Sequence, residues 1–157
     1  MIETLDITVP IKPISTNAIH RSIVRGRHAQ SIKSKEYREF KDSLNIMLAR
    51  ESEDIDKFIN RVSSLDQPLY MTANYVVEMP WNSLITKKGE ISKISLDWDN
   101  CIKGFQDCFF DFMGMTDHLI ITGHLDMIAV SQDRGWSTTV EIVVNHLEEK
   151  IVEWDYH

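Results

Sequence analysis

The sequence predicts an α+β fold in which two helices pack on a mixed sheet of about four strands, all within a single domain over residues 1–157. Three observations predict it. Segments at both ends and in the middle of the chain alternate apolar and polar residues with the period of a strand, two others repeat every three to four residues like helices, and their order is strand, helix, strand, helix, strand, strand. At 157 residues, with 43% hydrophobic and 26% charged residues, the chain is sized for one core. That composition excludes a disordered, collagen-like or disulfide-scaffold protein.

The first strand is ETLDITVP, where Leu5, Ile7 and Val9 alternate with polar neighbours and Pro10 and Pro13 end the pattern. A basic, arginine-rich segment follows and reads as a loop. Ser34 then caps a helix through KEYREFKDSLNIMLAR, with Tyr37, Phe40, Leu44, Met47 and Leu48 on one face. Residues 51–67 are acidic and weakly periodic, a short helix or loop. PLYMTANYVVEMP is the second strand, bounded by Pro68 and Pro80, with Leu69, Met71, Ala73 and Tyr75 alternating. Residues 81–95 read as an exposed loop or loose hairpin around Gly89.

Between Ser95 and Gly114 a second helix gathers Cys101, Phe105, Cys108, Phe109 and Phe112 on one side and lines up Asp99, Lys103 and Asp107 opposite. One face packs and the other is wet or reactive. The closing segments, HLIITGHLDMIAVSQ with a bulge expected at Gly123 and STTVEIVVNHL, read as a strand hairpin turning at Asp133, Arg134 and Gly135.

The net charge of −7 argues at first against a polyanion partner, but its distribution does not. Residues 11–41 hold eight bases against two acids, a charge of +6, whereas residues 42–157 hold nine bases against twenty acids, a charge of −11. Within the basic segment Asn17, Arg21, Arg25, Arg27 and Lys33, with His20 and His28, suit phosphate contact, or else form a solvated face. Cys101 and Cys108, the only cysteines, fit a reducing cytoplasm and read as small core residues. No apolar run approaches the length of a membrane span and the N-terminus carries no signal-peptide pattern, so neither a membrane nor export is expected.

Asp97-x-Asp99 opens the second helix. Side chains two apart share a face in extended backbone, so at a strand-to-helix junction both carboxylates can converge on one divalent cation; alternatively, one caps the helix and the other favours its N-terminal dipole. Lys103 lies four residues after Asp99, and Asp107 four after Lys103. The pattern places a cation among carboxylates, or builds an ordinary ladder of surface ion pairs. Asp117 follows the helix just before a strand, where a loop brings it beside the other two. Carboxylates at both ends of one helix are the pattern of a metal-dependent hydrolytic site.

These residues resemble a known family. The block DWDNCIKGFQD followed by TDHLIITG resembles the RusA family of Holliday-junction resolvases, endodeoxyribonucleases common in phages and prophages. Its pattern, Asp-x-Asp-Asn-x-x-Lys-x-x-x-Asp with a later glycine and a pair of aspartates entering a strand, is matched by Asp97, Asp99, Asn100, Lys103 and Asp107. The Pro13 to Asn17 segment, the arginine-rich stretch after it and the closing strand pair extend the likeness over residues 6–145.

The resemblance implies a Mg²⁺-dependent nuclease, with Mn²⁺ as a substitute, that resolves branched DNA such as a four-way junction as a homodimer inside a bacterial host. It assigns Asp97, Asp99 and Asp117 to metal and catalysis, Lys103 to catalysis, and Asn100 and Asp107 to support, and, aligned without gaps, it places the family's second metal-binding aspartate at His118. The chain departs from the family where two consecutive aspartates are expected, because it has Asp117 and His118. Three readings follow: His118 is a ligand through a ring nitrogen, Asp117 shifts inward to substitute, or metal binding and cleavage are weakened. Imidazole suits Mn²⁺ and later transition metals better than Mg²⁺. The competing reading is a catalytically degenerate relative that binds DNA or a protein partner in regulation or counter-defence.

Two smaller expectations complete the reading. His118, His124 and Asp126 share one strand face, as a small metal cluster or as surface residues, and Trp81, Trp98, Trp136 and Trp154 are core or interface residues, with Trp98 pointing away from the metal.

Overall fold

The computed structural model describes residues 1–66, 68–93 and 96–151; Trp154 lies outside the described residues. Strand β1 (Glu3–Val9) buries Leu5, Ile7 and Val9, as its alternation requires. Helix α1 (Lys35–Ala49) starts where Ser34 Oγ accepts the backbone N–H of Tyr37 at 2.9 Å. It buries Tyr37, Phe40, Leu44 and Leu48. Strand β4 (Leu69–Pro80) buries Met71, Ala73, Tyr75, Val77 and Met79, one full face.

These strands, with β5 (Ile120–Val130) and β6 (Ser137–His146), form a four-stranded mixed sheet in the order β1-β6-β4-β5. Beta-6 is antiparallel to both β1 and β4, while β5 runs parallel to β4 at the edge. The core lies between one face of this sheet and the helices, where Val140, Ile142 and Val144 of β6 meet side chains of α1 and α4 (Lys103–Met113). On α4 the buried set is Phe105, Cys108, Phe109, Phe110 and Met113.

Four expectations are corrected. The sheet carries more than the two helices expected: segment 51–67, read as a short helix or loop, takes the helical form as α2 (Ser52–Ser63), which buries Ile55, Phe58 and Val62, and Trp81–Leu84 adds a single helical turn, α3. Beta-5 and β6 are not a hairpin, because β4 lies between them. The connection 131–136 crosses the end of β4, where Arg134 meets Glu78 at 2.7 Å. The pairing irregularity falls at Ile121, where Met71 pairs with Ile120 and Thr72 with Thr122; Gly123 is instead a point of close approach to Ala73. Finally, the basic segment is a two-stranded ribbon, β2 (His20–Arg25) and β3 (His28–Lys33), turning on Gly26 and Arg27. Gly26 has φ +63° and Arg27 has no positive φ, the pattern of a type II′ hairpin. Among the described residues no helix is long and apolar enough to cross a membrane.

Candidate active site and nucleic-acid interface

The second helix begins later than its periodicity suggests. Residues Trp98–Asn100 form a 3₁₀ turn, and α4 starts only at Lys103. Asp97 occupies the cap position of the turn without a side-chain capping bond, so its carboxylate is exposed and uncommitted to the backbone. Asp99 is also exposed, with the Asn100 amide 3.4 Å from its Oδ1.

Beneath Asp99 a cavity of about 290 Å³ opens between the start of α4 and the edge of the sheet. Tyr75, Trp98, Gln106 and residues 122–125 line it with Asp99. The Trp98 indole N–H donates to the Leu125 carbonyl at 2.8 Å, which fixes the ring over the edge strand although the residue is 61% exposed. Trp98 is therefore beside the candidate site rather than turned away from it. Trp81 is exposed as well, so neither of the two belongs to the core.

Asp117, in a 3₁₀ turn (Asp117–Leu119) just before β5, lines a separate depression with Asp107 and is tied to the cavity wall by a relay. Tyr75 Oη donates to Gln106 Oε1 at 2.8 Å, and Gln106 Nε2 donates to Asp117 Oδ2 at 3.1 Å. Burial, reinforced by the charges of Asp117 and Asp107, pushes the Tyr75 phenol well above its ordinary range, so it stays protonated and acts as the donor. That sets the orientation of the Gln106 amide, whose N–H then faces the carboxylate. Neither Tyr75 nor Gln106 was singled out from the sequence. The available signal was the position of Gln106 three residues after Lys103 on the polar side of the helix.

Lys103 pairs with Asp107 at 3.4 Å, one turn along α4, with the lysine side chain largely in solvent. The ladder thus stops at this pair, since Asp99 is not within salt-bridge distance of Lys103 among the described ion pairs. His118 is exposed, and its Nδ1 is engaged by the Thr116 hydroxyl, which leaves Nε2 for any other partner. It precedes β5 and so does not share a strand face with His124 and Asp126.

Among the described residues no three histidine, cysteine, aspartate or glutamate side chains form a group able to hold a metal ion. The carboxylate oxygens have the chemistry Mg²⁺ requires, but Asp97, Asp99, Asp117 and His118 are not assembled as a ligand set in this conformation. What the fold does assemble is Asp99 on the cavity and Asp117 one hydrogen bond away, held by Gln106 of the cavity wall.

The basic residues are joined to this region from below. Thr16 Oγ1 donates to the Asn100 carbonyl at 3.1 Å, and Gly104 leaves no room for a side chain, since a Cβ there would stand 2.4 Å from Ile14 Cγ2. Segment 14–19 is therefore stapled to the start of α4. Asn17 is exposed in the turn Thr16–Ala18, and the ribbon carrying Arg21, Arg25, Arg27 and Lys33, all exposed, leaves from its end. Lys33 sits over the Tyr37 ring at 4.6 Å, which orients its ammonium at the ribbon base. Compared with known proteins, the chain matches no family model and no curated sequence.

Proposed function

We propose that the protein is a RusA-type, Mg²⁺-dependent endodeoxyribonuclease that acts on branched DNA as a homodimer, encoded by a phage or prophage and working in the host cytoplasm. The observation that carries this reading is that Gln106, which lines the cavity beneath Asp99, also holds Asp117 by a hydrogen bond, beside the segment from which a cationic ribbon projects. Carboxylates and a basic arm on one region are what hydrolysis of a bound phosphodiester needs: water adds to phosphorus and the bond to the 3′ oxygen breaks.

Asp97, Asp99 and Asp117 would hold the ion, with His118 Nε2 favouring Mn²⁺ if it joins them; when bound, the ion supplies Lewis acidity toward a phosphate oxygen. The chain itself supplies the rest. Gln106 fixes the direction of Asp117, Asp107 tethers Lys103 where its charge faces an incoming phosphate, and Asn17 and Arg27 bind the backbone while the other ribbon arginines engage the DNA.

A second reading is favoured by the unassembled ligand set and by the Thr116 contact of His118: a catalytically silent relative that binds branched DNA or a protein partner. A nicking assay on a synthetic four-way junction separates the two. The nuclease reading expects cleavage by the wild type in Mg²⁺ or Mn²⁺ and none by Asp99→Asn. Junction binding without cleavage under either metal overturns it in favour of the silent relative.

A further inference from the structure

The ribbon has two unlike faces, and its register settles what each carries. Arg21 pairs with Ile32, Ile23 with Gln30 and Arg25 with His28, so one face holds Arg21, Arg25, His28 and Gln30 around a half-buried pair, Ile23 and Ile32. The opposite face holds mostly short side chains, Ser22, Ala29 and Ser31 with Val24, and only His20 and Lys33 at its base. Over residues 20–33 there are four arginines and lysines and no aspartate or glutamate, in a chain that is otherwise strongly acidic. The ribbon makes its extensive contacts with itself alone, and Val24 is 74% exposed.

We propose that the β2–β3 ribbon is a major-groove reader of B-form DNA, with the Arg21, Arg25 and Gln30 face turned to the base edges and Arg27 at the tip on phosphate. The dimensions decide the groove. Two strands about 4.8 Å apart, with side chains on both faces, exceed a minor groove of about 6 Å but enter a major groove of about 12 Å. The chemistry decides the face. Arginine binds guanine O6 and N7 with two parallel hydrogen bonds and glutamine binds adenine N6 and N7 likewise, whereas the serines and alanine of the other face are too short to reach across. The absence of acids removes the repulsion that the rest of the chain would impose on a phosphate backbone. A-form RNA does not fit, because its major groove is too deep and narrow for side chains to read.

The inference rests on the DNA-binding half of the proposed function and not on cleavage. It is tested with the full chain in EDTA, so that hydrolysis plays no part. A randomised 16-base-pair duplex pool is enriched for binders and affinities of the selected duplex are then measured by fluorescence anisotropy. The wild type is expected to enrich a defined sequence, and binding to be displaced by methyl green, a major-groove ligand, but not by netropsin, which fills the minor groove. Arg21→Gln combined with Arg25→Gln should lose about tenfold or more in affinity for that duplex and enrich no sequence. His20→Gln combined with Lys33→Gln should keep the selected sequence. Arg27→Gln should flatten the log–log salt dependence by about 0.9 while keeping it too. Displacement by netropsin alone, equal binding to the double-stranded RNA of the same sequence, or an Arg21 and Arg25 double variant that binds as the wild type does overturns the proposal. Loss of nicking with groove binding intact leaves the ribbon standing and removes only the nuclease.

Discussion

Gly123 sits where the edge strand β5 lies too close to β4 to admit a side chain, and replacing it with alanine tests how the candidate cavity is held. A Cβ at that position would lie 2.1 Å from the Ala73 carbonyl oxygen and 3.1 Å from its carbonyl carbon. An unstrained carbon-to-oxygen contact is about 3.3 Å, so the two backbones must separate by roughly 1.2 Å. An N–H···O distance of about 2.9 Å becomes about 4 Å under such a shift, which is no longer a hydrogen bond. With two or three ladder bonds lost at about 1 kcal/mol each, the variant should be destabilised by about 2–3 kcal/mol, in the range of an overpacked core site. For a domain of this size that lowers the melting temperature by about 4–12 °C. Thermal unfolding measured beside Thr122→Ala, a change on the same strand with no such clash and a cost within about 0.5 kcal/mol, isolates the effect. Because residues 122–125 line the cavity with Asp99 and Gln106, nicking by any surviving folded Gly123→Ala should fall as well. A melting temperature within 2 °C of the wild type would show that the close approach is not a constraint, and the reasoning would fail.

Two further outcomes are expected. Cys101 and Cys108 are both buried, and burial pushes the Cys101 thiol up to about 12, so native protein at pH 8 should resist a thiol reagent that labels both residues on unfolding; rapid native labelling would contradict the packing. Lys41 reaches from α1 to Asp111 on α4 at 2.5 Å, and that hydrogen bond raises its pKa. A raised lysine pKa means that the contribution is complete below the ordinary lysine range and is lost as pH climbs through the folded value. In urea titrations Lys41→Met should therefore cost a constant amount, under about 1 kcal/mol, from roughly pH 6 to 9, and converge on the wild type in strong alkali; a gap that persists there would refute the assignment.

What was legible in the sequence follows the range over which each interaction acts. The alternation of β1 and β4 and the stripe of α1 are local consequences of which face meets the core, and the Ser34 cap lies three residues from the N–H it accepts. Helix α2 was legible only as a short helix or loop, because the many acids on its wet face weaken the apolar period. The ribbon was obscured for a related reason: neither of its faces packs on the body, so it lacks the in–out alternation of a core strand, and only the Arg25, Gly26, Arg27 turn marked it. The placement of β5 could not be read from its neighbourhood to β6. A short connection between two strands normally signals a hairpin, yet six residues comfortably span the roughly 10 Å across one intervening strand. Here Arg134 and Gln132 hold that connection against Glu78 and the Asn82 N–H at the end of β4.

The same distinction governs the site, and it changes what the −7 charge means. Motif spacing located Asp97, Asp99, Lys103, Asp107 and Asp117, but spacing along a helix does not say what holds Asp117. That depends on Tyr75, a strand residue 31 positions from Gln106, and on the direction in which its protonated phenol turns the amide. Because Gln106 spends its carbonyl on Tyr75, its N–H must serve Asp117, and the carboxylate is held by a neutral donor rather than by a cation. A carboxylate neutralised by lysine would have little attraction left for a dication, whereas one oriented by an amide keeps its full charge. Lys103 is kept apart by its bond to Asp107, and the arginines are kept apart on the ribbon. The acidity of the body and the basicity of the arm are thus separated by the fold, so that under the proposed function the one would attract a cation and the other a polyanion, a division that the whole-chain charge conceals.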